Sequence, residues 1–282
     1  MKRQHIVTAL AVLTIGVPLA ARQQQTTPPS EEQRQPTASA ARQAEARPTT
    51  VARFYNLEAK DGHAAQLEEG IKKHMAWHRA AGDTGSWHVW NIATGTMMGN
   101  YNVGTLGRTW KGLEQTDMGA KDQADVEVNI APHVASVSGA VWIYRGDISP
   151  AAEQSPSPLA LVIHYYLRPE GVPVFENAIR QVTGAMMKLP EGERANPPMI
   201  YELMAGGEGP RLAMVFNADG WGDFAPRGSS PLQALEKAFG PDKAGEIMRT
   251  AGQTIRRMES QILQYRPDLS SPAESSASAR PQ

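Results

Sequence analysis

Two groups of side chains carry the potential for chemistry. His74 and His78 stand four residues apart in a segment with helical apolar spacing, so their imidazoles share one helix face. His88 follows after a short loop. Three imidazoles at one end of a unit can ligate zinc or another divalent ion, and a single one can ligate haem. No His-Glu-x-x-His pattern accompanies them. Histidines on a helix face also serve as hydrogen-bonded core or rim residues, so packing stands beside ligation as a reading. The second group is His164 with Glu202. An imidazole exchanges protons near neutral pH and a buried carboxylate can be tuned upward, which makes the pair a candidate acid and base. Asn56, Asn91 and Tyr166 are polar groups able to orient a small molecule in their neighbourhood.

Several chemistries are excluded. The chain has no cysteine, so disulfides, thiolate metal sites and a cysteine nucleophile are absent. Gly-x-Ser-x-Gly is missing, which argues against a nucleophile elbow. Gly206-Gly207-Glu208-Gly209 lacks the Lys-Ser/Thr of a phosphate loop and reads as a hairpin turn. His63 and His133 have no supporting context. A formal net charge of -1 with no basic stripe gives nucleic-acid binding no electrostatic support.

The 282 residues, 41% hydrophobic, suffice for one large or two small cores. Lys2 and Arg3, an uncharged run to Ala21 and the small residues Ala20 and Ala21 read as a signal peptide over 1–21. That implies a periplasmic or secreted protein with no membrane association once the leader is cleaved. Residues 22–49 are rich in Gln, Pro, Thr and Ala and read as a disordered linker, and 271–282 as a disordered tail.

Between them lies an internal repeat, units 50–149 and 158–270. Tyr144-Arg145-Gly146-Asp147-Ile148-Ser149 recurs as Tyr265-Arg266-Pro267-Asp268-Leu269-Ser270. Trp110 matches Trp221 at an offset of 111 (221 minus 110), and Val89-Trp90-Asn91-Ile92 then falls on Ile200-Tyr201-Glu202-Leu203 without a gap. Leu67 to Lys72 matches Phe175 to Arg180 at an offset of 108 (175 minus 67). Each copy reads as a β-run (from Val51 and from Leu159), a turn, an amphipathic helix, two strands, a second helical region and a last strand (about 139–145 and about 260–266). Leu67, Ile71, His74 and His78 form the apolar stripe of the first helix, matched by Phe175, Ile179, Val182 and Met186. The second helical region of copy two is expected to break at Gly240-Pro241. Trp77, Trp87, Trp90, Trp110 and Trp221 read as core.

The order β-α-β-β-α-β is the split βαβ, ferredoxin-like unit. With its Asp/Pro-Glu-Gly turn before helix one and its Trp-x-x-Leu/Phe opening of helix two, it resembles the dimeric α/β-barrel superfamily, which includes antibiotic-biosynthesis monooxygenase-like, EthD-like and NIPSNAP-like proteins. The resemblance covers about Val51 to Arg266 and implies an α+β fold. Two tandem ferredoxin-like βαββαβ units would close an intrachain dimeric α/β barrel around a cavity between the sheets. Members include cofactor-independent oxygenases, haem-handling enzymes and proteins without known catalysis. No catalytic signature of the family is legible here.

Strand alternation then divides the faces. Phe54, Asn56, His164 and Tyr166 are expected to face the barrel. In the second strands the more apolar set, His88, Trp90, Ile92 with Met199, Tyr201, Leu203, is expected to face the helices. That turns Asn91 and Glu202 toward the cavity. His164 and Glu202, on strands separated by a third, would flank a ligand. The leading expectation is an exported barrel that binds a small hydrophobic molecule, as a cofactor-free oxygenase or isomerase-like enzyme. Two alternatives remain: a haem or divalent-metal protein using His74, His78 and His88, and a non-catalytic structural or interaction module. Because both sheets belong to one chain, a monomer is expected.

Overall fold

The computed structural model describes residues 50–83, 85–116, 118–151, 156–225 and 228–271. The expected leader and linker, and all of the expected tail except Ser271, lie outside them. Half one runs β1 (Val51–Ala59), α1 (Ala64–Ala80), β2 (His88–Ile92), β3 (Tyr101–Arg108), α2 (Trp110–Thr116), α3 (Ala120–Asn129) and β4 (Val134–Tyr144). Half two runs β5 (Leu159–Leu167), α4 (Val172–Met187), β6 (Met199–Ala205), β7 (Arg211–Ala218), α5 (Pro231–Phe239), α6 (Pro241–Thr254) and β8 (Ile255–Tyr265). The strands close into one eight-stranded antiparallel barrel in the order β1-β3-β2-β8-β5-β7-β6-β4. Each half therefore contributes four neighbouring strands, and the seams are β2 against β8 and β4 against β6.

Period-two alternation explains the layering. In β5, Ala160, Val162, His164 and Tyr166 point into the lumen, whereas Tyr165 and Leu167 join the layer under the helices. Three apolar clusters result. One lies under α1 and α3 (Leu57, Leu67, Ile71, Met75, Val89, Val103), one under α4, α5 and α6 (Leu167, Phe175, Ile179, Ile200, Leu235, Ile247), and one lines the lumen (Trp90, Trp142, Val162, Met199, Tyr201, Leu263). The break between α5 and α6 falls at Gly240, whose φ of 82° needs glycine, followed by Pro241 at the first helical position.

The repeated Tyr-Arg-x-Asp-Ile/Leu-Ser segment has a structural role: it crosses between the halves. After β4, Arg145 N–H bonds to Ile200 O at 2.8 Å, and Ile200 N–H bonds to Ser149 Oγ at 2.9 Å. After β8, Arg266 N–H bonds to Val89 O at 2.8 Å, and Val89 N–H bonds to Ser270 Oγ at 3.0 Å. Ile148 is buried in the half-two core and Leu269 in the half-one core. The guanidinium of Arg145 reaches Glu176 on α4 while holding Asp147 at 2.8 Å, and Arg266 reaches Glu68 on α1 at 2.6 Å while holding Asp268 at 2.8 Å. These contacts keep the carboxyls of Asp147 and Asp268 below the usual aspartate range. The exchange is reciprocal, as at an interface related by a two-fold axis.

Two expectations about elements are corrected. The last strands are longer than the sequence suggests, each 11 residues, because they bridge both halves. Trp87 and Trp90 are buried, but Trp110 and Trp221 are 46% and 57% exposed. Their matched positions open the helical turn that follows the third strand of each half, outside the apolar layers, so matching there reflects local geometry and not core packing.

Candidate functional site: the barrel lumen and a histidine cluster outside it

The lumen holds a cavity of about 620 Å³. Its walls are largely apolar: Phe54, Trp90, Leu106, Trp142, Val162, Met199, Tyr201, Val215 and Leu263. Polar groups gather toward one end, where β5, β7 and β8 run side by side. His164 pairs across the sheet with Ala213 and Glu259, and Tyr166 with Arg211 and Arg257. The Tyr166 hydroxyl donates to Glu259 Oε2 at 3.0 Å and accepts from Arg211 Nη1 at 2.9 Å. Arg257 lies over the Tyr166 ring at 3.9 Å and bonds to Glu259 Oε1 at 2.8 Å. Arg211 also lies 4.7 Å over Trp142. Stacking sets Arg211 against Trp142 and Tyr166, and Arg257 against Tyr166, while Arg257 stays half exposed and also pairs with Glu208 at 3.1 Å.

His164 sits beside this network, with Trp142 5.5 Å away ring to ring. Its Nδ1 is buried without a hydrogen-bond partner among the described residues. Burial, with Arg211 adding repulsion, pushes its pKa down to about 4, so the imidazole is neutral at physiological pH. A neutral imidazole on the cavity wall, within the field of Arg211, can accept a proton at its cavity-facing edge from a ligand whose developing anion the arginines stabilise. At the other polar position, Asn56 accepts from Asn100 Nδ2 at 3.0 Å and lines the cavity with Asn102 and Ser138.

Asn56, His164 and Tyr166 thus face the lumen as expected, but the parity of the second strands is the reverse of the expectation. Trp90, Met199 and Tyr201 line the cavity, whereas Val89 and Ile200 are fully buried under the helices. Glu202 consequently lies on the outer face, 42% exposed and paired with Arg145 at 2.8 Å. It does not meet His164 across a ligand. Asn91 also lies on the outer face, 3.5 Å from Gly99 O. The physical reason is that one closed barrel wall carries an apolar lumen on one side and helices on the other, so the inner face is as apolar as the helix-covered one. Apolarity alone cannot tell them apart. Arg211, Arg257 and Glu259 take the place foreseen for Glu202. Alternation along the full length of β8 would have exposed Arg257 and Glu259, but the strand was expected to begin only near residue 260.

The histidines of half one divide in the same way. His88 faces the lumen side, against Trp90 and Tyr265, with its Nδ1 3.1 Å from the Tyr265 hydroxyl. It therefore does not join His74 and His78, which are buried beneath α1. Those two meet each other through Nε2 atoms at 3.1 Å. Aspartates absent from the sequence reading complete the group. Asp125 lies 2.7 Å from His74 Nδ1 and Asp83 2.9 Å from His78 Nδ1, while Asp122 Oδ1 lies 3.3 and 3.5 Å from the two Nε2 atoms. Burial lowers the pKa of His78, favouring its neutral form. His63 and His133, distant in sequence, also meet, Nδ1 to Nδ1 at 3.1 Å.

No protein-family model matches the chain, and no curated protein matches it. Solved structures do. An anthrone oxidase-like protein superposes with a TM-score of 0.51 at 13% identity, over 78% of this chain and 92% of its own. The likeness is one of fold. A mutant chlorite dismutase from Candidatus Nitrospira defluvii aligns over 78% of this chain and 92% of its own, at 10% identity and a TM-score of 0.47. The chain is thus an α+β protein whose closed barrel has neighbours among ferredoxin-like dimeric barrels.

Haem does not fit His74 and His78. An axial imidazole needs an open ring nitrogen facing a flat slot. Trp77 stacks on His74 with centroids 5.9 Å apart and planes 1° from parallel, and Trp87 lies 5.2 Å from His78. The remaining ring edges face each other and the three aspartates, leaving no slot for a macrocycle among the described residues.

Proposed function

We propose that this chain is an exported small-molecule-binding barrel in which one polypeptide, as two tandem ferredoxin-like units, closes the barrel that dimeric relatives of this fold build from two subunits. The ligand we assign to the lumen is small and largely aromatic, with an acidic or anionic group directed at Arg211 and Arg257. The observation that carries this reading is the neutral His164 imidazole on the wall of an apolar cavity of about 620 Å³, beside the Tyr166–Arg211–Glu259 network. A structural or interaction module would fill such a space with side chains.

The reaction class we favour begins with proton abstraction by His164 from an acidic C–H or phenolic O–H of the ligand. Arg211 stabilises the resulting anion. Return of the proton to a different carbon is an isomerisation. One-electron transfer from the carbanion to molecular oxygen, recombination of the resulting radical with superoxide to form a C–O bond, protonation of the peroxide by the His164 imidazolium and loss of water together convert a CH2 to a carbonyl, an oxygenation in which O2 is the oxidant and the chain supplies no cofactor.

The test is binding and turnover of a panel of fused-ring phenols and aromatic ketones in air, by ligand-induced change in tryptophan fluorescence and by oxygen uptake. His164→Gln is expected to retain binding within a fewfold and to lose turnover at least 100-fold, in the range of general-base removal. Unchanged turnover in His164→Gln removes the catalytic assignment.

A further inference from the structure

The cluster beneath α1 plays no part in the lumen. In the neutral forms of His74 and His78, each Nδ1 faces a carboxylate: Asp125 at 2.7 Å and Asp83 at 2.9 Å. His74 Nδ1, hydrogen-bonded to Asp125, carries the proton and leaves its Nε2 a bare lone pair, whereas His78 Nδ1 lies close to Asp83 without hydrogen-bond geometry; with the His78 proton on that nitrogen its Nε2 is a bare lone pair as well. These lone pairs point at each other across 3.1 Å and at Asp122 Oδ1 across 3.3 and 3.5 Å. Three lone-pair donors therefore converge on one point. Asp122 Oδ1 is itself buried without a hydrogen-bond partner among the described residues. In that tautomer the arrangement is repulsive without a positive centre, and a metal ion or a proton on one Nε2 relieves it.

The spacing is that of a coordination polyhedron. Donors about 2.0–2.1 Å from a tetrahedral zinc stand about 3.3 Å from one another, and the three separations here are 3.1, 3.3 and 3.5 Å. Carboxylates bonded to the far nitrogens of ligating histidines are the usual outer shell of such a site. That shell is itself anchored. Asn129 Nδ2 donates to Asp125 Oδ1 at 3.0 Å, while the Trp87 indole and the Gly85 amide donate to Asp83 at 3.0 and 2.7 Å. Gly70 allows α1 to approach the end of α3 closely enough for this, since a Cβ there would stand 1.9 Å from Asn129 O.

We propose that His74 Nε2, His78 Nε2 and Asp122 Oδ1 bind one divalent transition-metal ion of the zinc class, with Asp125 and Asp83 orienting the two imidazoles. Two imidazoles and one carboxylate suit zinc and its neighbours over magnesium or calcium, which prefer all-oxygen shells. The fourth position is left to water at the side of Asp122 that reaches solvent. The ion joins α3 to α1 in half one. This proposal stands independently of the lumen reading, and neither test bears on the other.

The experiment is titration of the full chain, stripped with chelator, with Co²⁺ followed by visible absorption, and with Zn²⁺ followed by thermal melting. One equivalent of Co²⁺ is expected to give the d–d bands of a four- or five-coordinate site, and Zn²⁺ to raise the melting temperature. Asp122→Asn, which keeps the shape, is expected to weaken binding at least 10-fold and to abolish the Zn²⁺ shift, while His164→Gln leaves both unchanged. Asp125→Asn and Asp83→Asn are expected to weaken binding about 10- to 100-fold, the range for outer-shell partners. Near-UV circular dichroism establishes that each variant is folded, and His78→Gln replaces Asp122→Asn should that one fail. Absence of Co²⁺ binding by the unaltered chain, or binding weakened less than 10-fold by a folded Asp122→Asn or His78→Gln, overturns the proposal. The cluster would then be a protonated histidine pair.

Discussion

The two halves wrap the same strand order around one lumen but fill the space beneath their first helices differently. In half two, α4 lays Phe175, Ile179, Val182 and Met186 onto an apolar layer built from Ala, Leu and Ile. In half one, the matched stripe ends in His74 and His78, which meet Asp83, Asp122 and Asp125. The apolar version shows that the fold does not need the polar one. Burying two imidazoles beside three carboxylates costs desolvation energy that Val and Met avoid. A polar cluster kept where its counterpart is greasy therefore calls for a function of its own. The connecting segments teach the opposite lesson: there the halves are alike residue by residue, because each holds the other.

The strongest way to sharpen this comparison is to cut the two connections. Ile148→Ala and Leu269→Ala each remove a side chain buried in the opposite half's core. Each is expected to lower unfolding free energy by about 3 kcal/mol in chemical denaturation. A large loss in one and none in the other would break the reciprocity.

Gly70→Ala probes the helix floor. Its new Cβ would collide with Asn129 O, so α1 and α3 must separate, at a cost of about 2 kcal/mol. At the matched position half two already carries Ala178, and Ala178→Gly there is expected to cost only about 1 kcal/mol, from helix propensity and lost contact. Equal losses would show that α1 and α3 have no closer fit than their counterparts.

Acid titration compares the lumen's two matched polar positions, His164 and Asn56. The pKa values of His164 and His88 are depressed to about 4 from an ordinary 6.5. The unfolded chain thus takes up protons between pH 6.5 and 4 that the folded chain refuses. The stabilisation is fully present above pH 6.5 and is lost as pH falls, with a slope of up to about 1.4 kcal/mol per pH unit for each group. His164→Gln is expected to remove its share of that slope in denaturation measured between pH 7 and 4. An unchanged slope would mean that His164 is protonated in the fold. Asn56→Ala is expected to have the smallest effect, about 1 kcal/mol for its hydrogen bond to Asn100, the same at every pH.

The sequence reveals most of the fold and part of the site. Repeated Tyr-Arg-x-Asp segments, a shared helix stripe and a proline-marked helix break are local patterns, and they led to the right element order. Phe54, Asn56, His164 and Tyr166 lie on strands whose alternation is clear. Glu202 and Asn91 went to the wrong face because both surfaces of β2 and β6 are covered by apolar layers. Arg211, Arg257 and Glu259 come together only through strand pairing. Asp122 and Asp125 meet His74 across about fifty residues, through a helix packing that depends on Gly70 lacking a side chain. Local spacing cannot show such contacts.

The central claim, that the lumen is a ligand site, is tested most directly by filling it. Ala213→Trp places an indole in the cavity beside His164, on the neighbouring strand of the same wall, and leaves both helix-side cores untouched. Binding of anilinonaphthalene sulfonate, an apolar aromatic anion, is then followed by fluorescence. One equivalent is expected to bind the unaltered chain, and Ala213→Trp is expected to abolish it with no loss of folded structure. Undiminished binding to the folded Ala213→Trp variant would contradict the account.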